Sequence, residues 1–389
     1  MKSIQEAIHL IESTGVEKEL VEIDLLDALG SVLAEDVLSP IDLPPFSQSA
    51  MDGYAVCGEG GRYELLGETK AGDEMFEKEL KAGQAIRIFT GAMIPKGATS
   101  IAKQEIVELD SGGIFLTEEL KKGTSIRIQG EELAQGSVAL YKGTEINSAS
   151  IGLLSGIGVS KVKVWRKPRV GIVVSGNELS SLGEDLEPGK IYESNSYTLR
   201  ASLQSIGLTG EVERIPDQFE ETVKMISHQL DKNDFVLITG GISVGDYDFV
   251  KDALDQIGVK QIFYKLNQKP GKPIFYGEIG NKRVFALPGN PAAVLTCFYM
   301  YVQPALNIMR GRKQSFLQKT KAVLTEDFIK KGSRGFLLKG ILEEGKVSVS
   351  RGQSSAMLSS FVDANCLIHI EGESRKVEAG TMVDVYIIR

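Results

Sequence analysis

The segment 239–248, TGGISVGDYD, combines residue types that can bind a phosphorylated ligand. It follows the apolar run 235–238, which is typical of a buried strand. Its glycines allow the backbone to turn tightly and to approach a bulky ligand. Asp246 and Asp248 follow where a helix is expected to begin, and Mg²⁺ prefers carboxylate oxygens. The pattern predicts a magnesium-assisted site for a phosphorylated molecule, although a turn whose aspartates cap the helix explains it equally well.

Three lysines, Lys265, Lys269 and Lys272, lie within eight residues at spacings of four and three. The spacing resembles a helix face, but the prolines at 270 and 273 exclude a helix. A rigid loop that carries Lys269 and Lys272 can bind phosphate groups with little loss of conformational freedom. A solvated surface loop is the alternative, and the expected proximity to the carboxyl edge of a sheet favours binding.

The segment 287–291, LPGNP, joins a predicted strand to a predicted helix. Asn290 suits the N-cap and Pro291 the first helical position, where its missing N–H is not needed. The free N–H groups and the helix dipole at such an end attract anions. The segment therefore predicts either an anion site or simply a well-formed helix start.

Two more carboxylates follow predicted strands. Glu178 comes after the apolar run 170–175, and Asp217 comes after the strand pattern 210–215. Each is also consistent with an exposed turn. Because the carboxyl ends of parallel strands meet at one edge of a sheet, the junctions together favour a shared site.

Composition limits the possible classes of protein. The chain has 389 residues, of which 42% are hydrophobic and 25% charged, as in soluble proteins of two to four domains. A net charge of −8 without a long basic stripe argues against nucleic-acid binding. The three cysteines and three histidines are scattered, which argues against a zinc site or disulfides and favours the cytoplasm. The amino terminus lacks a signal-peptide core, and polar residues interrupt the longest apolar run, 292–309, so no membrane association is expected.

Periodicity predicts a multidomain α/β plus β protein. It has a β-rich N-terminal domain, a central doubly wound α/β domain and a small C-terminal β-barrel domain. The predicted boundaries are 1–166 with a β domain inserted at about 54–146, then 167–312, then 313–389. Helical patterns are expected at 4–13, 25–33, 147–157 and 291–309, the first with a capping box of Ser3 and Glu6.

Seven motifs in this order resemble those of the molybdopterin molybdenumtransferases, the MoeA and gephyrin E-domain family. They are DLPPF at 42–46, SAMDGYA at 49–55, FTGA at 89–92, SGNEL at 175–179, TGGISVGDYD at 239–248, KPGKP at 269–273 and LPGNP at 287–291. The resemblance spans nearly the whole chain. Each motif alone is weak, but the set in this order is highly specific.

The resemblance implies an elongated four-domain subunit, a homodimer and a role in molybdenum cofactor biosynthesis. The implied reaction inserts molybdenum from molybdate into adenylylated molybdopterin and releases AMP, with Mg²⁺ required. It also implies that the N-terminal β domain completes the site of the other subunit. Other proteins of molybdenum cofactor biosynthesis are further expected partners.

The resemblance assigns roles to residues by their positions in the motifs. Catalytic roles fall on Asp52, Thr90, Glu178, Asp217 and Asp248, and metal binding on Asp246 and Asp248. Substrate binding falls on Gly240, Gly241, Ser243, Lys265, Lys269, Lys272, Pro288, Gly289, Asn290 and Ser355. The neighbours of Ser355 depart from the family's usual pattern.

Two alternatives stay open at this point. The adenylyltransferase that makes the same intermediate shares the central fold, but it lacks the flanking β domains. It also has a GGTG loop where this chain has GGIS at 240–243. A non-enzymatic scaffold of the same family is the other alternative, against which the retained Asp52, Asp248 and Lys269 argue.

Overall fold

The computed structural model describes residues 1–242 and 249–389, so Ser243, Asp246 and Asp248 lie outside the described residues. The chain forms two compact units. The larger unit comprises residues 1–21, 30–32 and 164–389, and the smaller unit comprises residues 22–29 and 33–163.

A six-stranded sheet lies at the centre of the larger unit. Its strands lie in the order Gly210–Ile215, Val170–Ser175, Phe235–Thr239, Lys282–Leu287, Phe275–Ile279 and Lys260–Tyr264. The first four strands are parallel, and Phe275–Ile279 is antiparallel to both its neighbours. From Val170–Ser175 the chain goes first to one side and then crosses to the other. This topological switch point confirms the doubly wound fold, and it is where such sheets bind ligands.

Helices cover both faces of this sheet, because its parallel strands are apolar on both sides. Alternate side chains of Phe235–Thr239 enter two different cores. One core includes side chains of the helices Ile4–Ser13 and Asn195–Ser205. The other includes side chains of Phe219–Lys232 and Val250–Ile257. The expected capping box of the first helix is present, with the Ser3 and Glu6 side chains bonded to each other's backbone.

The predicted long helix at 291–309 is interrupted by a π-helical turn. It consists of Pro291–Cys297, the π turn Phe298–Val302 and Gln303–Met309. By length and composition alone this run could cross a membrane, but 83% of its most apolar window is buried inside the protein. It is therefore a core helix of the larger unit.

The last part of the larger unit is a closed barrel, as expected from the alternating pattern. Five strands close it when the first pairs with the last, in the order Gly335–Glu343, Lys346–Val349, Lys319–Leu324, Met382–Ile387 and Cys366–Ile370. The two-residue strand Gln268–Lys269 from the lysine loop pairs in parallel with the start of the first. Two further short strands, Phe328–Lys330 and Arg375–Val377, come from the connections between barrel strands and pair antiparallel with each other.

The smaller unit is β-rich, as predicted. Its main sheet has the order Ser100–Lys103, Gly53–Val56, Gln84–Ile88, Arg62–Thr69, Gly113–Leu116 and Val107–Asp110. Shorter strands of residues 20–165 are Leu20–Asp24, Val37–Leu38, Gln48–Ser49, Ile126–Arg127, Val138–Leu140 and Lys161–Trp165. The expected helix near 147–157 is Ser148–Gly156, with Asn147 as its N-cap.

The helix expected at 25–33 is wrong. Only one 3₁₀ turn forms there, Leu26–Ala28. Gly30 has φ +69°, a left-handed conformation that ends a helix. Leu25, Ala28, Val32 and Leu33 are buried although Leu26 is 77% exposed, so the apolar spacing marks residues that pack without forming a continuous helix.

Candidate active site

A cleft of about 650 Å³ lies at the carboxyl end of the central strands. Its walls come from loops that follow the strands Val170–Ser175, Gly210–Ile215, Phe235–Thr239 and Lys282–Leu287. Residues predicted from the sequence contribute much of the lining: Glu178, Asp217, Gly240, Gly241, Pro288, Gly289 and Asn290. The structure thus brings together carboxylates, bare backbone and a helix start, as the shared-edge argument requires.

Asp217 is fixed by two donors from the neighbouring loop. Its Oδ1 accepts a hydrogen bond from the Ser175 hydroxyl, and its Oδ2 accepts one from the Asn177 backbone N–H at 3.0 Å. Two donors of this kind fix the orientation of the carboxylate in the cleft. Glu178, which follows Asn177 in the sequence, lies exposed at the cleft wall.

The glycine pair at the end of the central strand leaves no room for side chains. Gly240 has φ +89°, and a Cβ there would lie 2.4 Å from the Ser175 carbonyl oxygen. Gly241 has φ +61°, and a Cβ there would lie 2.9 Å from Val250. Both glycines are therefore required, and the backbone of this loop is bare on the cleft side.

Asn195 connects two of the cleft-forming loops, a role that the sequence did not reveal. Its Nδ2 donates to the Thr239 hydroxyl at 2.9 Å and to the Gly289 carbonyl at 2.8 Å. Its Oδ1 is buried and accepts no hydrogen bond from the described residues. Asn195 therefore holds the loops that carry Thr239 and Gly289 together at the cleft.

Glu193 is a second cleft residue that sequence reasoning missed. It is almost fully buried and accepts hydrogen bonds from the backbone N–H and hydroxyl of Ser196. The short strands Leu179–Ser180 and Ile191–Tyr192 pair in parallel and return the chain to the cleft at this point. The polar run 193–196 before a helical pattern was the available signal, since such runs favour capped helix starts.

The helix start at 287–291 differs from the expectation in one respect. Pro291 occupies the first turn as predicted, but the Asn290 side chain does not cap the helix. Its Nδ2 instead donates to the Ser355 hydroxyl at 3.0 Å. The Ser355 carbonyl accepts a hydrogen bond from the Ala293 N–H at 3.2 Å, so the barrel domain supplies part of the cap.

The three lysines are not among the described residues that line the cleft, although Pro273 of their loop is. Lys265 has φ +59°, and its ammonium lies 4.6 Å from the centre of the Tyr264 ring. The Lys269 ammonium lies 5.1 Å from the centre of the Phe336 ring, and Lys272 is exposed. Cation–π contacts of this kind orient both ammonium groups.

In the smaller unit, Asp52 and Thr90 form a hydrogen-bonded pair. Asp52 Oδ1 accepts from the Thr90 backbone N–H at 2.8 Å and from its hydroxyl at 2.7 Å. These two bonds, with a smaller contribution from Arg87, hold the pKa of Asp52 below its ordinary value. The Arg87 guanidinium lies 4.9 Å from the Tyr54 ring and 5.0 Å from the Phe89 ring. The pair is exposed at the surface of this unit.

No group of three or more His, Cys, Asp or Glu side chains that could hold a metal occurs within residues 1–242 and 249–389. The expected ligands Asp246 and Asp248 lie outside that range. The magnesium site therefore stays a prediction.

A doubly wound sheet with a glycine loop at its switch point defines a class of domain that binds phosphorylated ligands. Comparison with known families assigns the chain more closely. Three models match: the MoeA N-terminal region (domain I and II) at 2–158, a probable molybdopterin binding domain at 171–308 and the MoeA C-terminal region (domain IV) at 321–388. The chain belongs to the MoeA family, which confirms the resemblance found in its motifs.

Individual relatives agree along nearly the whole length. A molybdopterin molybdenumtransferase of Haemophilus influenzae is 36% identical, covering 97% of this chain and 96% of its own. One of Staphylococcus epidermidis is 34% identical, covering 99% and 95%. The crystal structure of the molybdopterin biosynthesis MoeA protein of Pyrococcus horikoshii OT3 has a TM-score of 0.83 at 29% identity, covering 100% of both chains.

Proposed function

We propose that this chain is a molybdopterin molybdenumtransferase. It inserts molybdenum from molybdate into adenylylated molybdopterin and releases AMP, as a step of molybdenum cofactor biosynthesis. The names of relatives that align over nearly the whole chain support this function. The observation that carries it is the cleft at the switch point, where Asp217, the glycine pair and the helix start at 287–291 share one wall.

The cleft suits a pterin pyrophosphate ester. The bare backbone at Gly240 and Gly241 admits a phosphate at van der Waals distance from the chain. Asn195 lines the cleft and joins Thr239 to Gly289, so it fixes two of the loops that would surround the ligand. Lys265, Lys269 and Lys272 supply positive charge from the adjoining loop, and Ser243 belongs to the same glycine-rich segment.

Mg²⁺ is the metal that fits these residues. Glu178 and Asp217 line the cleft, and carboxylate oxygens are the donors that Mg²⁺ prefers. We assign its direct ligands to Asp246 and Asp248. When bound, Mg²⁺ would neutralise charge on the pyrophosphate. Asp217, held by Ser175 and Asn177, orients the loop that carries Glu178 toward the cleft.

The protein acts as a homodimer in the cytoplasm, in three functional regions, 1–166, 167–312 and 313–389. Asp52 and Thr90 of one subunit complete the cleft of the other. The Asp52 carboxylate supports this proposal, because it is exposed, is oriented by two hydrogen bonds from Thr90 and has a lowered pKa.

The two alternatives receive less support. An adenylyltransferase has no need of the N-terminal and C-terminal regions that this chain contains. A scaffold has no need of an ordered Asp52–Thr90 pair. It also has no need of a cleft loop in which only glycine fits at positions 240 and 241.

One assay separates these functions. The purified chain is mixed with adenylylated molybdopterin, molybdate and Mg²⁺, and AMP is measured. We expect AMP release that requires molybdate. Pyrophosphate release from ATP and molybdopterin, without molybdate-dependent AMP release, would establish the adenylyltransferase instead, and no turnover in either assay would establish the scaffold.

A further inference from the structure

Lys339 is a buried cation of the barrel that no motif or family match assigns to the site. It lies on the strand Gly335–Glu343 and is only 1% exposed. Its ammonium donates to three backbone carbonyls, those of Gly352 at 2.9 Å, Ser354 at 3.2 Å and Met357 at 3.3 Å. The three donors of the ammonium are thereby all used.

Within residues 1–242 and 249–389, no group of opposite charge compensates this cation. No described carboxylate interacts with it, and burial lowers the pKa of Lys339 to about 8. A buried ammonium without a counter-ion is unfavourable, so the carbonyl contacts must hold it. A hydrophobic residue would fill the same space without the cost of desolvating a charge. The ammonium is therefore expected to have a role beyond packing.

The same residue also holds this segment through its backbone. The Lys339 N–H donates to Gln353 Oε1 at 3.0 Å, and Gln353 Nε2 donates to the Lys339 carbonyl at 2.8 Å. Gln353 Nε2 also donates to the Ser350 carbonyl at 2.7 Å. Backbone and side chain of one residue therefore fix both ends of the segment 350–357.

This segment forms part of the cleft. Ser355 accepts from Asn290 with its hydroxyl and from Ala293 with its carbonyl, and Ala356 lines the cleft. Because Ser355 replaces the side-chain cap that Asn290 does not provide, its position determines how the helix start at 290–293 is completed.

We propose that Lys339 is a positioning residue of the active site. Its ammonium fixes the segment 352–357 so that Ser355 and Ala356 close the cleft wall against the helix start. Without the ammonium, three carbonyls lose their partner and the segment separates from Asn290 and Ala293. The consequence for turnover rests on the proposed function, but the structural consequence does not.

Lys330 provides a matched control in the same barrel domain. It is also 1% exposed, and its ammonium also donates to backbone carbonyls, those of Gly332 at 2.7 Å and Gly372. It lies 4.9 Å from the centre of the Phe336 ring, as Lys339 lies 5.6 Å from that of Phe361. Neither of its carbonyl partners lines the cleft.

Hydrogen–deuterium exchange of the full chain tests the proposal. We expect Lys339→Met to accelerate exchange about tenfold or more in peptides covering 291–297 and 350–358, as expected for lost hydrogen bonds. Lys330→Met should leave both peptides unchanged, and Lys339→Arg, which keeps the charge, should restore part of the protection. Equal exchange of both peptides in Lys339→Met and the unsubstituted chain would overturn the proposal.

If Lys339→Met does not fold, the unsubstituted chain decides the question. Opening of the segment to water would return the lowered pKa of Lys339 toward its ordinary value, so a rise from about pH 7 to about pH 9.5 should disfavour opening and increase the protection of the same peptides. Rates are corrected for intrinsic exchange, and peptides of the central sheet serve as reference. Protection that stays constant relative to that reference contradicts the proposal.

In an active enzyme, Lys339→Met should also raise KM for adenylylated molybdopterin more than it lowers kcat. An inactive unsubstituted chain would count against the proposed function alone.

Discussion

The cleft of the larger unit and the Asp52–Thr90 pair of the smaller unit present the candidate site residues in opposite ways. The cleft combines loops from many parts of the sequence and encloses about 650 Å³. The pair lies exposed on a β-rich surface and is ordered by two hydrogen bonds from one threonine. The topology of the central sheet thus positions the residues of the cleft, whereas two hydrogen bonds from Thr90 position the Asp52 carboxylate. The two should respond differently to substitution.

The largest expected effect belongs to the glycine pair of the cleft. Gly240→Ala places a Cβ against the Ser175 carbonyl at a left-handed φ and should lower the free energy of unfolding by about 2–5 kcal/mol. Gly183→Ala is the matched control, because Gly183 has φ +88° and open space around it. It should lose only about 1–2 kcal/mol, the strain alone. Equal losses in urea unfolding of the two variants would contradict the packing argument.

Asp217→Asn tests the electrostatics of the cleft. The amide keeps the shape but replaces one acceptor by a donor that faces Ser175 or Asn177. We expect AMP release to fall about tenfold or more, with a folded protein by circular dichroism. Asp185 lies at an exposed position between the strands Leu179–Ser180 and Ile191–Tyr192, and Asp185→Asn should leave the rate unchanged. A similar rate in both variants would remove Asp217 from the catalytic set.

The barrel responds to pH through Lys339. Because its pKa is about 8 in the folded chain, below the ordinary lysine value, the unfolded chain binds more protons above that pH. The contribution of Lys339 to stability therefore increases as pH rises from about 8 to about 10.5. The free energy of unfolding of the unsubstituted chain, compared with that of Lys339→Met, should increase over this range. A difference that does not change with pH would show that burial leaves the lysine pKa at its ordinary value.

The smallest expected effect belongs to the Thr90 hydroxyl of the exposed pair. Thr90→Val removes the hydroxyl donor and leaves the backbone donor, so the pKa of Asp52 should rise toward its ordinary value. Since that pKa is lowered in the folded chain, the pair stabilises the protein above the ordinary carboxyl pKa and loses this effect as pH falls through the lowered value. An NMR titration of Asp52 measures the change, and Thr90→Ser should keep the unsubstituted value. A pKa that is the same in Thr90→Val would assign the shift to the backbone bond alone.

Sequence reasoning succeeded where structure depends on neighbouring residues. The Ser3–Glu6 capping box and the Asn147 cap formed as expected, because each depends on residues three apart. The order of strands and helices, and hence the shared edge of the central sheet, also followed from local periodicity.

Contacts between distant segments could not be predicted in this way. Asn290 bonds to Ser355, which lies 65 residues away, and not to its own helix. Asn195 reaches both Thr239 and Gly289, and Lys339 holds a loop that no periodicity connects with it. The expected helix at 25–33 failed for a different reason, since Gly30 ends it although Leu25, Ala28 and Val32 are buried.

The most direct test of the account is subunit complementation, because it asks whether the cleft and the exposed pair act together in a dimer. An Asp52→Ala chain and an Asp217→Asn chain, each with little activity alone, are unfolded, mixed in equal amounts and refolded together. Random pairing gives half mixed dimers with one intact site of two, so about a quarter of the unsubstituted AMP release should return. Different tags on the two chains show whether mixed dimers form. Mixed dimers that release no more AMP than the separate variants would contradict the shared site.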